Sequence, residues 1–450
     1  RGVAPNASIF GDNFLGNSSK YNESRGVNSP GGVTADIYNM SYGVGYPKDD
    51  DDEQESTYSL SKSLKYNSTS IFEEAFVNGV TNLRDGKGAI YVKSSGNYYN
   101  TQSGSDCGEG KELSCTETSI DRNNQSPYII NVGSINADGV KSSYSSPGSS
   151  IWVSGFGGEY GYDSSIYGAD SEWTKAQLDP AIMTVDRSSC LLGSSRGEDG
   201  ETYAGNNRFN IGGYGFSDNE TLNPSCNYHS HFNGTSAAAP TIAGVIALIL
   251  EANSDLTWRD VKHILVTTSD KIDGTRVAEV DSIAQYRWVE NTAGHEHHNW
   301  YGFGRVNAAA AVSAAKTYTA NSLGGYVITD LYLNTINETI PDNSGGAVTQ
   351  EITKPTGSNG IVEFVRVLID FDHSEPGTVG FRLQSPGGTI INLMQKGTNI
   401  NNPAGAFYFD IGASGFYGES MEGTWTLEVR DYSAGTTGTL DNWGIQIHGN

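Results

Sequence analysis

A serine flanked by small residues stands at the start of a long apolar run, in the segment HFNGTSAAAPTIAGVIALILEAN at 231–253. Gly234 and Ala237 lie on either side of Ser236 and would let a peptide backbone approach its hydroxyl. If the apolar run forms a helix, the backbone dipoles of its first turn favour negative charge that develops near Ser236. A serine before a helix is more commonly an N-cap, so the short motif alone predicts capping and leaves nucleophilic chemistry as the alternative.

Nucleophilic chemistry at a serine requires a base, usually a histidine. His229 and His231 are the nearest in sequence, and we interpret them as loop residues with solvent-facing rings. The run HEHHNW at 295–300 could bind a metal ion, but we interpret it as a structural turn. A base for Ser236 is therefore not evident among the eight histidines of the chain.

The elements around these residues alternate between strands and helices. ADIYNMSYG at 35–43, GAIYVKSSGN at 88–97 and SPYIINVGSI at 126–135 are typical of buried strands. IFEEAFVNGVTNL at 71–83 has an apolar stripe at helical spacing, so it completes a β-α-β unit and predicts a parallel sheet. The run from Thr235 predicts a helix that is apolar almost all round and therefore buried. Thr257 and Asp260 predict a capping box ahead of an amphipathic helix.

The pattern changes after about residue 317. From there to Asn450, alternating apolar and polar runs are separated by Gly, Pro, Ser and Asn, which predicts an antiparallel β-sandwich. The predicted strands are EFVRVLIDFD, TVGFRLQSP, TIINLM, GTWTLEVRD and NWGIQIHGN. The sequence thus divides into an α/β domain over 1–317 and a β-sandwich over 318–450.

Composition limits the classes of partner. The 450-residue chain has 52 acidic and 28 basic side chains, a formal net charge of −24. Like-charge repulsion argues against nucleic acid or an anionic membrane as a partner and favours a cationic peptide. The longest apolar stretch, 237–250, is interrupted by Pro, Thr and Gly, so no membrane span is expected. Sequons at Asn39 and Asn233 lie beside the proposed site, so we expect an unglycosylated, secreted protein of bacterial type.

The four cysteines fall into two local pairs, Cys107 with Cys115 and Cys190 with Cys226. No C-x-x-C spacing occurs, and we predict two disulfides formed in an oxidising compartment. A zinc site is the alternative, although histidines at ligand spacing occur only beyond Cys226.

The longer string GTSAAAPTIAGVIALI resembles the nucleophile motif of the subtilisin-like serine proteases, and it overrides the capping interpretation of Ser236. LTWRDVKHIL and HNWYGFGRVNAAAAV resemble the kexin and furin branch, and the sandwich is similar to the P domain of that branch. The resemblance covers essentially the whole chain. It implies a subtilisin-like α/β domain over 1–317, a P domain over 318–450 and a Ser-His-Asp triad with Ser236 as nucleophile. It also implies Asn97, in SSGN, as the side-chain donor to the oxyanion.

The triad Asp and His precede the serine in this family. No histidine here matches the family's H-G-T motif, and GVAPNASI, which follows the histidine helix in relatives, begins at Gly2. We therefore expect both groups on an upstream segment, with any signal peptide or propeptide, and we expect the 450 residues alone to be inactive. The alternative is an inactive protease remnant that serves as a binding or scaffolding protein.

The resemblance further implies a peptide-binding cleft and structural calcium. The substrate strand and the opposite wall of the first specificity pocket would be formed by Ser41, Tyr42, Gly43, Ser94, Ser95 and Gly96. Asp121 matches the aspartate at the bottom of the relatives' Arg/Lys pocket, so we expect a preference for Lys or Arg at the cleavage position, without a strict dibasic requirement. The calcium ligands would be Asp106, which also lies near the pocket, Asp49 and Asp50. The sequence departs from the relatives at this calcium site in two places. Ser146 stands where the relatives have a calcium-binding glutamate, and the acidic residues at 49–52 are shifted, so the alternative is that they form a solvated loop.

Overall fold

The structure is a computed structural model that describes residues 2–11, 34–43, 71–99, 107, 111–162, 174–187, 227–398 and 407–450. Four parallel strands form a sheet in the order β1 (Ile37–Met40), β2 (Ile90–Ser94), β3 (Ile129–Ile135) and β4 (Val153–Phe156). Because parallel strands end at the same edge of a sheet, the residues that follow β1 and β2 lie side by side. The predicted parallel sheet is confirmed.

The helices that the structure describes in this part are α1 (Ile71–Asn82), α2 (Lys175–Leu178), α3 (Thr235–Ala252), α4 (Trp258–Thr268) and α5 (Ala308–Thr317). Helix α1 contacts β2, and α4 packs against α5. By length and composition α3 is a candidate membrane span, but here it contacts β1 to β4 and α5. The sequence predicted that this helix is buried, but its burial is incomplete. Pro240 is exposed and Leu248 is half-buried, because the sheet covers one face of the helix. The predicted capping box of Thr257 and Asp260 is present at the start of α4.

Three short antiparallel ribbons connect these elements. They pair β5 (Ile182–Val185) with β6 (Tyr228–Phe232), β7 (Ala278–Val280) with β8 (Ile283–Tyr286), and β9 (Val289–Glu290) with β10 (Glu296–His297). Strand β6 is followed by Gly234 and α3, so it ends a few residues before Ser236. Cys107 and Cys115 form a disulfide, whereas Cys190 and Cys226 lie outside the described residues.

The C-terminal part is a sandwich of two antiparallel sheets. Its strands are β11 (Val327–Ile328), β12 (Tyr332–Ile340), β13 (Gly345–Ile352), β14 (Val362–His373), β15 (Val379–Gln384), β16 (Ile390–Met394), β17 (Phe407–Ala413), β18 (Gly423–Asp431) and β19 (Gly438–Gly449). One sheet has the order β11-β19-β14-β17, with β12 also on β19, and the other has the order β13-β18-β15-β16. Phe371, Phe381, Trp425 and Trp443 are buried in the core between them.

Ion pairs join the sandwich to the helices of the α/β part. Arg366 on β14 donates to Glu73 on α1 at 2.8 Å and to Asp410 on β17 at 2.5 Å. Arg259 on α4 holds both carboxylate oxygens of Glu363, through Nε at 3.1 and 2.9 Å. The sandwich therefore braces α1 and α4.

Candidate active site

The turn after β2 brings Asn97 to the start of α3. Gly96 has a φ of +109°, and a Cβ at this position would lie 3.1 Å from Ser146 Oγ, so glycine suits the turn. Gly96 N donates to Thr235 Oγ1 at 3.1 Å, and Ser146 N donates to Gly96 O at 3.0 Å. The turn is thus held from both sides by hydrogen bonds to distant parts of the chain.

The side-chain amide of Asn97 has a determined orientation. Its Oδ1 accepts from Thr235 N at 2.8 Å and from Thr235 Oγ1 at 2.9 Å, so Asn97 caps the first turn of α3. A backbone N–H can only donate, so the atom facing it is the oxygen and Nδ2 lies on the other side. The point where a Cβ on Gly234 would lie is 3.2 Å from Asn97 Nδ2 and 3.5 Å from Ser236 N. Two nitrogen atoms that carry N–H groups therefore lie beside a space that is open because residue 234 is glycine, and Asn97 Oδ1 is 3.6 Å from the same point.

Tyr144 supports this glycine from behind. Its hydroxyl accepts from Gly234 N at 2.8 Å and donates to Gly158 O at 2.7 Å. Burial raises the pKa of the Tyr144 hydroxyl to about 12, so it keeps its proton at neutral pH. Gly234 itself has a φ of +99°, a conformation that side chains rarely adopt. The sequence analysis did not identify Tyr144, since an isolated tyrosine in SSYSSPG shows no pattern.

Ser236 is half-buried and contacts the residue that follows β1. Ser236 Oγ donates to Ser41 O at 3.3 Å, and Ser41 Oγ donates to Ser236 O at 2.9 Å. Pro240 explains the second bond: proline has no N–H to reach the carbonyl four residues earlier, so Ser236 O is available to Ser41. The predicted substrate strand is therefore joined to Ser236 by two hydrogen bonds.

The histidines that could be mistaken for a base have other surroundings. His229 and His231 lie on β6, and burial lowers the pKa of both rings. They are half-buried on a strand, so their interpretation as solvent-facing loop residues is wrong. His297 is buried, and its Nε2 lies 2.9 Å from Ser414 Oγ on the sandwich. Within the described ranges, no group of three or more His, Cys, Asp and Glu side chains is arranged to hold a metal ion.

Asp121 lies beneath the predicted substrate strand and is already paired. It is 4 % exposed, and Lys93 Nζ lies 2.9 Å from its Oδ2. The same ammonium group donates to Tyr42 O at 2.6 Å. A Cβ on Gly43 would lie 2.6 Å from Asp121 Oδ2, so the ion pair directly underlies residues 42 and 43.

The opposite wall is buried and polar. Ser94 Oγ donates weakly to Met40 O at 3.5 Å, and Asn124 Nδ2 donates to Ser95 O at 3.4 Å. Ser95 Oγ is buried without a hydrogen-bond partner among the residues that the structure describes. Ser94, Ser95 and Gly96 thus follow Lys93, which pairs with Met40 at the end of β1, and their role as the wall of a specificity pocket stays a prediction.

The predicted calcium ligands Asp49, Asp50 and Asp106 lie outside the described residues. Ser146, at the position where the resemblance implied a calcium-binding glutamate in relatives, accepts a hydrogen bond from Tyr98 N at 3.0 Å. This serine serves the turn at Gly96.

Comparison with known proteins assigns the chain to a family. Residues 1–304 match the Subtilase family, and residues 362–447 match the proprotein convertase P-domain. The chain belongs to the subtilase family. It is a kexin-like subtilase, because it also carries the proprotein convertase P-domain and is similar to kexin of Saccharomyces cerevisiae, with 26% identity over all of this chain and 44% of that protein.

Other relatives of this subtilase come from bacteria and animals. The Aeromonas extracellular serine protease of Aeromonas sobria is 29% identical over 97% of this chain and 68% of that protein. Neuroendocrine convertase 2 of Rattus norvegicus is 31% identical over 70% of this chain and 48% of that protein. The crystal structure of the Aeromonas sobria serine protease superimposes with a TM-score of 0.80 at 26% identity, covering all of this chain and 78% of that one. Apart from the Aeromonas sobria enzyme, the chain spans about half the length of these relatives.

Besides Tyr144, the sequence analysis missed Lys93, which lies beneath residues 42 and 43. Lys93 stands in the strand IYVKS, whose five residues are all buried. A lysine is almost never fully buried unless it is paired. Its position in an otherwise apolar strand was the signal that an acidic partner had to be nearby.

Proposed function

We propose that this subtilase is a secreted serine endopeptidase that hydrolyses peptide bonds through an acyl-enzyme. Ser236 Oγ attacks the scissile carbonyl, and Asn97 Nδ2 and Ser236 N donate to the oxyanion. The carbon–nitrogen bond breaks, the leaving amine takes a proton, and water hydrolyses the ester on Ser236. The observation that carries the proposal is the position of Asn97 Nδ2 and Ser236 N beside the open space at Gly234, two residues from the Ser236 hydroxyl.

The base is the part of the mechanism that the described residues do not supply. Ser236 Oγ donates to the Ser41 carbonyl, which cannot take up the proton during attack. The proposal therefore requires an imidazole oriented by a carboxylate, and we assign both to the upstream segment that the family order implies. Without them a serine has almost no nucleophilic activation, so the 450 residues alone would be inactive.

The finer parts of the proposal concern substrate and surroundings. A net charge of −24 and the position of Asp121 beneath the substrate strand support cationic peptides, with Lys or Arg favoured at the cleavage position. The proposal also includes an extracellular location and a structural calcium ion held by Asp106, Asp49 and Asp50. Chelation of calcium is expected to lower the thermal unfolding temperature, and an unchanged temperature would argue against the ion.

Covalent labelling tests the central claim. The natural full-length protein should react with a fluorophosphonate probe, and peptide mapping should place the label on Ser236. Ser236→Ala should abolish labelling, whereas Ser230→Ala, a change of the same size on β6, should retain it. Absence of label on folded full-length protein would refute the peptidase and favour the binding or scaffolding alternative.

A further inference from the structure

The inference concerns the ion pair under the substrate strand. Lys93 on β2 and Asp121 are 1 % and 6 % exposed at their side chains, with Lys93 Nζ 2.9 Å from Asp121 Oδ2. Lys93 Nζ also donates to Tyr42 O at 2.6 Å, and Asp121 Oδ1 accepts from Asn123 N at 2.9 Å. An ion held among such partners is costly to leave uncompensated. The chain therefore supplies its own cation to this carboxylate.

The location of the pair connects it to catalysis. Tyr42 and Gly43 follow Ser41, whose carbonyl accepts from the nucleophile Ser236. A Cβ on Gly43 would lie 2.6 Å from Asp121 Oδ2 and 3.2 Å from Lys93 Nζ. The ammonium group thus lies against the backbone along which a peptide substrate would extend, at the carboxylate that a basic substrate side chain would seek.

We propose that Lys93 is a specificity-determining residue that competes with the substrate's basic side chain for Asp121, an inference that rests on the function proposed above. A substrate Arg or Lys gains the charge-assisted bond only by displacing the internal ammonium, and the two cations repel each other when both are present. An uncharged side chain meets neither effect. The natural enzyme therefore favours a basic residue over an uncharged one by about tenfold or less, because the gain from Asp121 is largely offset.

Peptide hydrolysis tests this with the full-length protein. Two peptides that differ only in Arg or Gln at the cleavage position are compared by their ratio of kcat/KM, with active enzyme counted by fluorophosphonate titration. Lys93→Met keeps the length of the side chain and removes the charge, and it should raise the Arg:Gln ratio by about 10- to 100-fold, as one freed charge-assisted hydrogen bond would. Lys93→Met combined with Asp121→Asn should return the ratio to near its natural value.

A matched control separates this local effect from a change in overall charge. Lys87→Met removes one positive charge from a lysine paired with Asp255 at 3.0 Å, on the approach to the same strand, and should leave the ratio unchanged. Asp121→Asn alone provides a second readout should Lys93→Met not fold, and it should lower the ratio less than tenfold.

Three results would overturn the proposal. They are an unchanged ratio in Lys93→Met, a natural ratio above about 100, and a fall of 100-fold or more in Asp121→Asn. Failure of the peptidase itself has a different signature, since titration would then find no reactive serine in any variant.

Discussion

Replacement of Asn97 by aspartate separates the two tasks that its side chain performs. Oδ1 caps α3 by accepting from Thr235 N at 2.8 Å and Thr235 Oγ1 at 2.9 Å, while Nδ2 faces the space above Gly234. Asn97→Asp keeps an oxygen for the cap and replaces the donor with a second, negatively charged oxygen. Asn97→Ala removes both groups. The pair of variants therefore distinguishes oxyanion stabilisation from helix capping.

The expected magnitudes differ between the two measurements. In a subtilisin, loss of one such donor lowers kcat by about 10²–10³, and in Asn97→Asp the repulsion between the introduced carboxylate and the oxyanion adds to that loss. The KM should change little, because the donor acts mainly in the transition state. A carboxylate at the N-terminus of α3 should keep or raise stability by about 0.3–1 kcal/mol, whereas Asn97→Ala should cost about 0.5–2 kcal/mol as a lost cap.

The assay is steady-state hydrolysis of a peptide by full-length enzyme, with active sites titrated, followed by thermal unfolding of the same samples. We expect Asn97→Asp to be nearly inactive and fully stable, and Asn97→Ala to be both inactive and less stable. A kcat for Asn97→Asp within tenfold of the natural enzyme would refute the assignment of Nδ2 to the oxyanion. Equal destabilisation by both substitutions would refute the capping role.

Two further predictions concern buried charges. Burial raises the pKa of Glu117 to about 8, so the folded state holds this proton more tightly than the unfolded state, and the free energy of unfolding falls as pH rises from about 4.5 to 8. The free energy of unfolding should fall by at most about 5 kcal/mol between pH 4.5 and pH 9, and Glu117→Gln should remove this fall. Thermal unfolding of both proteins as a function of pH measures it, and the same pH dependence in both would contradict the prediction. Arg259→Leu leaves the buried Glu363 carboxylate without its cation and should cost about 3–5 kcal/mol in urea unfolding, whereas Arg259→Leu with Glu363→Leu should recover most of the loss. A double variant no more stable than the single one would show that the cost comes from packing.

Polar residues inside strands show where sequence periodicity fails. Strand β17, FYFDIGA, was not predicted, and it carries the buried Asp410 among apolar residues. Its partner Arg366 lies on β14, more than forty residues earlier in the chain. Strands β12 and β13 were also missed, because they are largely exposed and rich in Asn, Thr and Gly. In each case a neighbouring strand stabilises a segment whose own pattern is weak.

Local chemistry and chain order were readable without coordinates. Small residues beside Ser236 and the alternation of apolar runs depend on neighbours a few residues away, and they predicted the helix, the parallel sheet and the sandwich. The oxyanion role of Asn97 was implied by the family resemblance and stays a prediction. Folding alone decided which distant groups meet. Asn97 reaches Thr235 across 138 positions and Ser41 reaches Ser236 across 195. The pairing of Lys93 with Asp121 is a contact of the same kind. The sequence indicates that a buried lysine requires an acidic partner, but only the packing of β2 against its surroundings determines which carboxylate pairs with it.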